Sequence, residues 1–413
     1  MSKVGTSSGP DQGTSGPLHG VRVLDMSRVL AGPYAAMLLA DLGAQVVKVE
    51  RPGTGDDTRA WGPPFVTGSG EAESTYFLSI NRGKYSVTLD LKDADDRPLL
   101  TGLLQWADVV IENFRPGVMD RLGLGDDALA EMNPRLVRLS ISGFGDAGPG
   151  RDRVGYDQIV QAEGGLMSLT GDADGTPTKV GVPIADLAAG LFGVIGILAA
   201  LVDRGSTQAG QRVTTSLLAG QIGLHTFQAT RFLVAGETPG PSGQHHPTVA
   251  PYGTFFAADG PIVLAIGNNA IWTRFAPLVG MDSDDPRFAT NAARLANRTQ
   301  LHEMVSAAVA LRPVREWLSM CTELGVPAGE VKDLASVYTD PSVREQALVW
   351  SVDHSTLGRV ELPGNPLQFS RDAIGPGLPP PVLGEHTEQV RAWILDQESA
   401  DARPAEQVIA AHD

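Results

Sequence analysis

The chain has 413 residues, more than a single hydrophobic core usually serves, so two domains or one large domain with an insertion are expected. Its 42% hydrophobic and 19% charged residues, with 48 Gly and 29 Pro, describe an ordinary globular protein rather than a disordered or fibrous one. A net charge of −16 opposes the electropositive surface that nucleic acid requires, and Cys321, the one cysteine, forms no internal disulfide; with no zinc-like Cys/His spacing, a cytoplasmic setting without a structural metal is expected.

Residues 1–17 are rich in Ser, Gly and Thr with no apolar run, and read as a disordered tail rather than a signal peptide. Residues 21–26 have strand character, 35–42 are helix formers ending at Gly43, and 45–50 are β-rich again, a β-α-β unit. The alternation continues with a strand at 86–91, a helix at 98–107 and strands at 108–112 and 136–141. Such alternation predicts an α/β fold with a parallel, helix-covered sheet. The apolar run 187–202 is 16 residues long, short of the roughly 20 that a membrane span needs, and reads as a buried core helix. A strand at 211–215 and a helical stretch at 216–233 follow.

Composition changes at 236–247, a Gly/Pro/Ser/His run leading into the strand-like segment 252–266, where a second, smaller domain is expected. Its helices fall at 301–311 and 314–324, the latter ended by Gly325 and Pro327. Residues 360–362 are strand-like, 388–395 resemble a final helix, and the last dozen residues are expected to fray. The boundaries that result are a large domain over 18–215, a linker at 216–240, a small domain over 241–330, and a linker with a C-terminal part over 331–413.

One acidic residue, Asp186, stands directly before the apolar helix in Val182-Pro-Ile-Ala-Asp186. The default for such a residue is an N-cap whose carboxylate accepts first-turn N–H bonds. The same N–H groups and the positive end of the helix dipole would keep a partly buried carboxylate ionised, and an ionised carboxylate can attack a thioester. Cations follow several predicted strands, among them Arg51, Arg59, Lys84, Arg115 and Arg121; at the carboxyl ends of a parallel sheet they could hold phosphates, although most such side chains are simply solvated. After the first strand the text is Ser27-Arg-Val-Leu-Ala-Gly-Pro33, not G-x-G-x-x-G, and P-loop, G-x-S-x-G and H-E-x-x-H motifs are missing. The adjacent His245 and His246, in a Pro/Gly loop, read as polar loop residues rather than metal ligands.

Several ordered blocks resemble the class III CoA-transferase (CaiB/BaiF) family: Leu24-Asp-Met-Ser-Arg-Val-Leu-Ala-Gly-Pro33, Val47-Lys-Val-Glu-Arg-Pro52, Gly55-Asp-Asp-Thr-Arg59, Glu112-Asn-Phe-Arg-Pro-Gly117, Gly155-Tyr-Asp157 and Leu383-Gly-Glu-His-Thr387. The resemblance implies a Rossmann-like large domain, built from the N-terminal half and the C-terminal segment, with a smaller α+β domain inserted, in an interlocked homodimer. It implies CoA and acyl-CoA as substrates beside a carboxylic acid, no prosthetic group, and no nucleic-acid or membrane partner. It makes Asp186, thirty residues after Tyr156, the nucleophile. The family's racemases carry a histidine where Tyr156 stands; a phenol with a reference pKa near 10 is a poor proton acceptor beside an imidazole near 6.5, which favours a transferase over a racemase, while a non-catalytic CoA-binding protein with an unreactive Asp186 is the other alternative.

By the same resemblance, Val29 and Ala31 would lie near the pantetheine or adenine, and Arg51, Lys84 and Arg121 near phosphates. Asn113, Phe114 and Leu122 would complete the CoA walls, with Arg28, Leu30, Tyr156 and His246 at the acyl substrate. The formyl-CoA transferase type has a tetraglycine loop that is replaced here by Gly243-Gln-His-His-Pro-Thr-Val-Ala-Pro-Tyr-Gly253, the candidate lid. This loop, together with Gly55-Asp-Asp-Thr-Arg-Ala-Trp-Gly-Pro-Pro-Phe65 and Glu73-Ser-Thr-Tyr76, looks closest to succinyl-CoA:glutarate (hydroxymethylglutarate) CoA-transferases, so a dicarboxylate donor or acceptor is expected.

Overall fold

Short Val- and Ile-rich runs alternate with helices through the first half of the chain, and they pair as six parallel strands. The structure, a computed structural model, describes residues 16–172 and 175–401; the expected N-terminal tail, apart from its last two residues, and most of the expected C-terminal fray lie outside them. In chain order the large unit contains β1 (Arg22–Asp25), α1 (Ala31–Asp41), β2 (Gln45–Glu50), α2 (Thr75–Ile80), β3 (Lys84–Thr88), α3 (Arg97–Trp106), β4 (Val109–Glu112) and β5 (Val137–Ser142). It continues with α4 (Asp157–Glu163), α5 (Ile184–Thr207), β6 (Arg212–Ser216) and α6 (Leu217–Leu224). The sheet order is β3-β2-β1-β4-β5-β6, every pair parallel. This is the doubly wound order, in which the chain reverses direction across the sheet between β1 and β4 and opens a crevice at their carboxyl ends.

Burial on both faces explains the near-continuous apolar strands. One face packs α1 and α5 through Ala35, Leu39, Ala189 and Ile197 onto Val23, Val109 and Leu139. The other packs α3 through Leu99, Leu103 and Trp106 onto Leu24, Val47 and Val110. Residues 342–401 belong to this same unit. Val390 and Ile394 enter the second core, and Asn365 donates to the buried Asp41 carboxylate at 3.1 Å.

The apolar helix is longer than the 16-residue run that announces it. α5 spans 24 residues and, by length and composition alone, is the one helix among the described residues able to cross a membrane. One face is buried, through Ala185, Ala188, Ala189, Gly193 and Ile197, as expected of a core helix; Leu191, Ile195 and Val202 are exposed on the other, so the expectation of a buried helix holds for that one face alone.

A second unit comprises 165–180 and 227–341 as described. Segment 216–240, expected as a linker, is largely helical: α6 is followed by α7 (Thr226–Ala235). The strand-like segment 252–266 is a hairpin of β7 (Tyr252–Phe256) and β8 (Pro261–Ala265), joined by β9 (Ala328–Glu330) in an antiparallel sheet ordered β9-β8-β7. Its core gathers Phe255, Trp272, Phe275, Phe288, Leu301 and Trp317. The wholly buried Arg294 donates to the carbonyls of Ala250 and Phe288 at 2.6 and 2.8 Å, which fixes the chain just before β7.

Candidate active site

At the carboxyl end of β1 the chain must turn sharply into α1, and the residues of that turn are held from below by buried charges. Asp25 accepts from the Ser27 backbone N at 3.0 Å and from the Ser27 hydroxyl. Lys48 donates to the Ser27 carbonyl at 2.9 Å and pairs with Asp56 at 3.0 Å, while Asp56 Oδ1 accepts from the Val29 backbone N at 3.2 Å. Val29 is thereby kept at φ +70, a left-handed conformation that a β-branched residue rarely adopts and that commonly marks a functional turn. Gly32 lets the first turn of α1 close on this loop, since a Cβ there would stand 2.2 Å from Ser27 Oγ.

The loop after β4 meets this turn directly. Asn113 Oδ1 accepts from Arg28 N at 2.9 Å and Asn113 Nδ2 donates to the Arg28 carbonyl at 2.6 Å, so one amide side chain stitches the two strand ends together. The Arg28 guanidinium lies 5.9 Å from the centre of the Phe114 ring and 3.7 Å from Asp57. A cleft of about 200 Å³ opens here, lined among others by Arg28, Val29, Asn113, Phe114, Tyr156 and Asp186. It lies where the topology puts a ligand crevice.

Asp186 sits in the first turn of α5, behind the cap residue Pro183, and is 9% exposed. The expectation that it is itself the N-cap is corrected: Asp157 Oδ1 takes the N–H bonds of Ala185 at 2.8 Å and Asp186 at 3.4 Å. The expectation that helix N–H groups hold the Asp186 carboxylate ionised is corrected with it. Among the described residues the carboxylate has no hydrogen-bond or ion-pair partner, and desolvation, with the Asp157 charge second, pushes its pKa up to about 7. It is a desolvated base rather than a stabilised anion.

Arg28, Val29, Ala31, Asn113, Phe114, Tyr156 and Asp186 line one cleft. Leu30 is buried in the core at 4% exposure and does not line it. Arg51 and Arg121 are exposed, and Leu122 packs beside the core under α3; none of the three lines this cleft. The placement of Lys84 near a phosphate is corrected. Its ammonium is wholly buried and donates to Asp25 Oδ2 at 2.9 Å, the Pro33 carbonyl at 2.8 Å and Asn81 Oδ1 at 2.8 Å, so none of its three protons is left for a ligand. Burial brings its pKa down to about 8.

His246 belongs to the second unit, where its ring stacks against Phe227 and Tyr252. The loop of the candidate lid is fastened within that unit: Arg298 donates to the carbonyls of His246 and Pro247, and Thr254 N donates to the Gln244 carbonyl.

Two residues of the site escaped the sequence reading. Asp157 was visible only as the last letter of Gly155-Tyr-Asp157, and nothing local says that it caps a helix 28 residues on. Tyr76, in the first turn of α2, packs edge-on against Trp61 at 5.0 Å, and has its phenol kept protonated by burial and by the charges of Asp186, Asp157 and Asp56. It is a hydroxyl donor within the field of the candidate nucleophile.

A family model for CoA-transferase family III matches residues 18–387, and the chain belongs to that family. It is a CoA-transferase, an enzyme that moves coenzyme A from an acyl-CoA to a carboxylic acid. The chain is 40% identical over 382 residues to the succinate–glutarate CoA-transferase of Agrobacterium fabrum, covering 91% of this chain and 95% of that protein. It is 39% identical over 381 residues to the succinyl-CoA:glutarate CoA-transferase of Mus musculus, covering 92% and 86%. The crystal structure of a CaiB/BaiF family protein from Brucella suis superposes with a TM-score of 0.82 at 38% identity, over 92% of this chain and all of that one.

Proposed function

We propose that the enzyme transfers CoA between short dicarboxylic acids, with succinyl-CoA as a donor, through covalent intermediates on Asp186. The observation that carries this reading is the partnerless, desolvated Asp186 carboxylate at the strand-end crevice. Asp186 attacks the thioester carbonyl and expels CoA thiolate, leaving a mixed anhydride between the aspartate and the donor acid. The thiolate attacks the aspartyl carbonyl, releases the donor carboxylate and leaves an aspartyl-CoA thioester. The acceptor carboxylate attacks that thioester, expelling the thiolate again, and the thiolate then takes the acyl group from the second anhydride and frees Asp186. Each step conserves the activated acyl bond, so the cycle runs without ATP.

In this reading Val29, Ala31, Asn113 and Phe114 carry the pantetheine end of CoA, and Arg51 and Arg121, exposed and without ion-pair partners among the described residues, meet its phosphates. Arg28 and Tyr156 border the acyl group. A racemase would require an imidazole where Tyr156 stands, and no observation favours it. The enzyme acts as a homodimer in the cytoplasm, with neither nucleic acid nor membrane as partner; the exposed apolar face of α5 supports the dimer and the single buried Cys321 the compartment. The test is an acceptor screen with succinyl-CoA against mono- and dicarboxylic acids in deuterated buffer. New acyl-CoA from dicarboxylates is expected; deuterium at C2 of a branched acyl-CoA with no acceptor needed would replace this reading with the racemase.

A further inference from the structure

A helix offers backbone donors at its first turn before its own ladder begins, and a carboxylate placed there ordinarily draws on them. At α5 all three leading donors face elsewhere. Ile184 N donates to the Val182 carbonyl at 2.8 Å, Ala185 N and Asp186 N donate to Asp157 Oδ1, and the ladder starts with Leu187 N on the Pro183 carbonyl at 3.0 Å. Asp157 is fixed in turn by the wholly buried Gln161, one turn along α4, whose amide donates to Asp157 Oδ2 at 2.7 Å.

We propose that Asp157 is a positioning residue for the nucleophile: it takes the α5 donors for its own carboxylate and leaves Asp186 anchored through its backbone yet without a donor, beside a second negative charge. This rests on the reading of Asp186 as the nucleophile. The chemical consequence lies in the anhydride. A more basic carboxylate attacks a thioester faster, and of two carboxylates joined in an anhydride the less basic leaves more readily. Substrate acids have reference values near 4, so in the first half-reaction a basic Asp186 directs the returning thiolate to the aspartyl carbonyl, which expels the donor acid instead of reversing the first step; in the second half-reaction Asp186 must itself leave, and the same basicity opposes that step. The other titratable or charged groups around Asp186 are Tyr76 on α2, and Arg28, Asp57, Arg115, Arg151, Arg153 and Tyr156 about the cleft.

Asp157→Asn keeps an acceptor oxygen for both N–H groups and removes the charge. Two readouts on the full-length enzyme test it. In the first, the melting temperatures of the Asp186 and Asp186→Asn proteins are compared from pH 5 to 8.5, with and without Asp157→Asn. The gain from replacing Asp186 at pH 8.5 is expected to shrink in the Asp157→Asn background, and this holds whether or not Asp186 attacks any substrate. In the second, the midpoint of the pH profile of kcat/KM is expected to fall by about one unit. Asp157→Ser, a shorter neutral acceptor, is expected to move the midpoint the same way, which a plain loss of capping would not do. An unchanged midpoint with an unchanged stability gap overturns the proposal. Transfer persisting in Asp186→Asn overturns the nucleophile reading instead, while the melting comparison still reports on Asp157.

Discussion

At Asp186 the fold carries a charge that water would hold more comfortably. Burial raises its carboxyl from the ordinary 3.8 to about 7, so the folded state keeps the proton over a range in which the unfolded chain has lost it. The contribution of Asp186 to stability is therefore greatest below about pH 4, declines as the pH rises to about 7, and is level above that. Asp186→Asn should leave stability unchanged at pH 4 and raise it at pH 8 by up to about 4 kcal/mol, from the roughly three-unit difference at 1.36 kcal/mol per unit. Denaturant unfolding at the two pH values measures this, and a gain at pH 4 equal to that at pH 8 would refute the origin assigned to it. Activity follows the opposite limb, with kcat/KM rising through about pH 7 as the nucleophile ionises. Tyr76→Phe tests whether the phenol that the Asp186 charge helps keep protonated donates to the oxyanion; if it does, kcat should fall roughly tenfold or more while KM stays close to its original value.

Among the elements, the strand ends separate structural cations from cations free for a ligand. Lys84→Met would leave Asp25 buried with Lys48 as its remaining cationic partner, 3.9 Å away, and should cost about 3 kcal/mol or more in thermal or urea unfolding. Arg51→Ala and Arg121→Ala should leave stability within about 0.5 kcal/mol and raise the KM for acyl-CoA in a salt-dependent way. Equal effects in the three variants would contradict the division. The sequence shows three cations beside β-rich text and has no sign that one of them turns inward, because Lys84 and its partner Asp25 are 59 residues apart. The alternation of strand and helix, in contrast, is legible throughout, since burial on both faces forces apolar strands. The capping of α5 is not: Asp186 is local to that helix, and the carboxylate that caps it arrives from α4.

For the whole molecule, the exposed face of α5 is the feature a monomer leaves unexplained. Leu191 at 47%, Ile195 at 60% and Val202 at 78% exposure lie along a helix whose opposite face is core. A second copy of the chain would cover them, and Ile195→Asp distinguishes the cases: in a monomer the change is at an exposed site and nearly neutral, while in a dimer it should break the assembly. Light scattering should give twice the 43.5 kDa chain mass for the unmodified enzyme and a shift toward one chain for the variant. A family block pattern read from the sequence implies such a dimer, but neither periodicity nor composition derives it, because the same apolar text serves a buried helix equally well.

The central claim is a covalent one, and intact-protein mass spectrometry tests it most directly. After incubation with succinyl-CoA and trapping with hydroxylamine or borohydride, a mass change mapping to Asp186 and missing from the Asp186→Asn variant is the expected result. An unmodified chain after exposure to several acyl-CoAs, under conditions where CoA transfer is measured in parallel, would contradict the account.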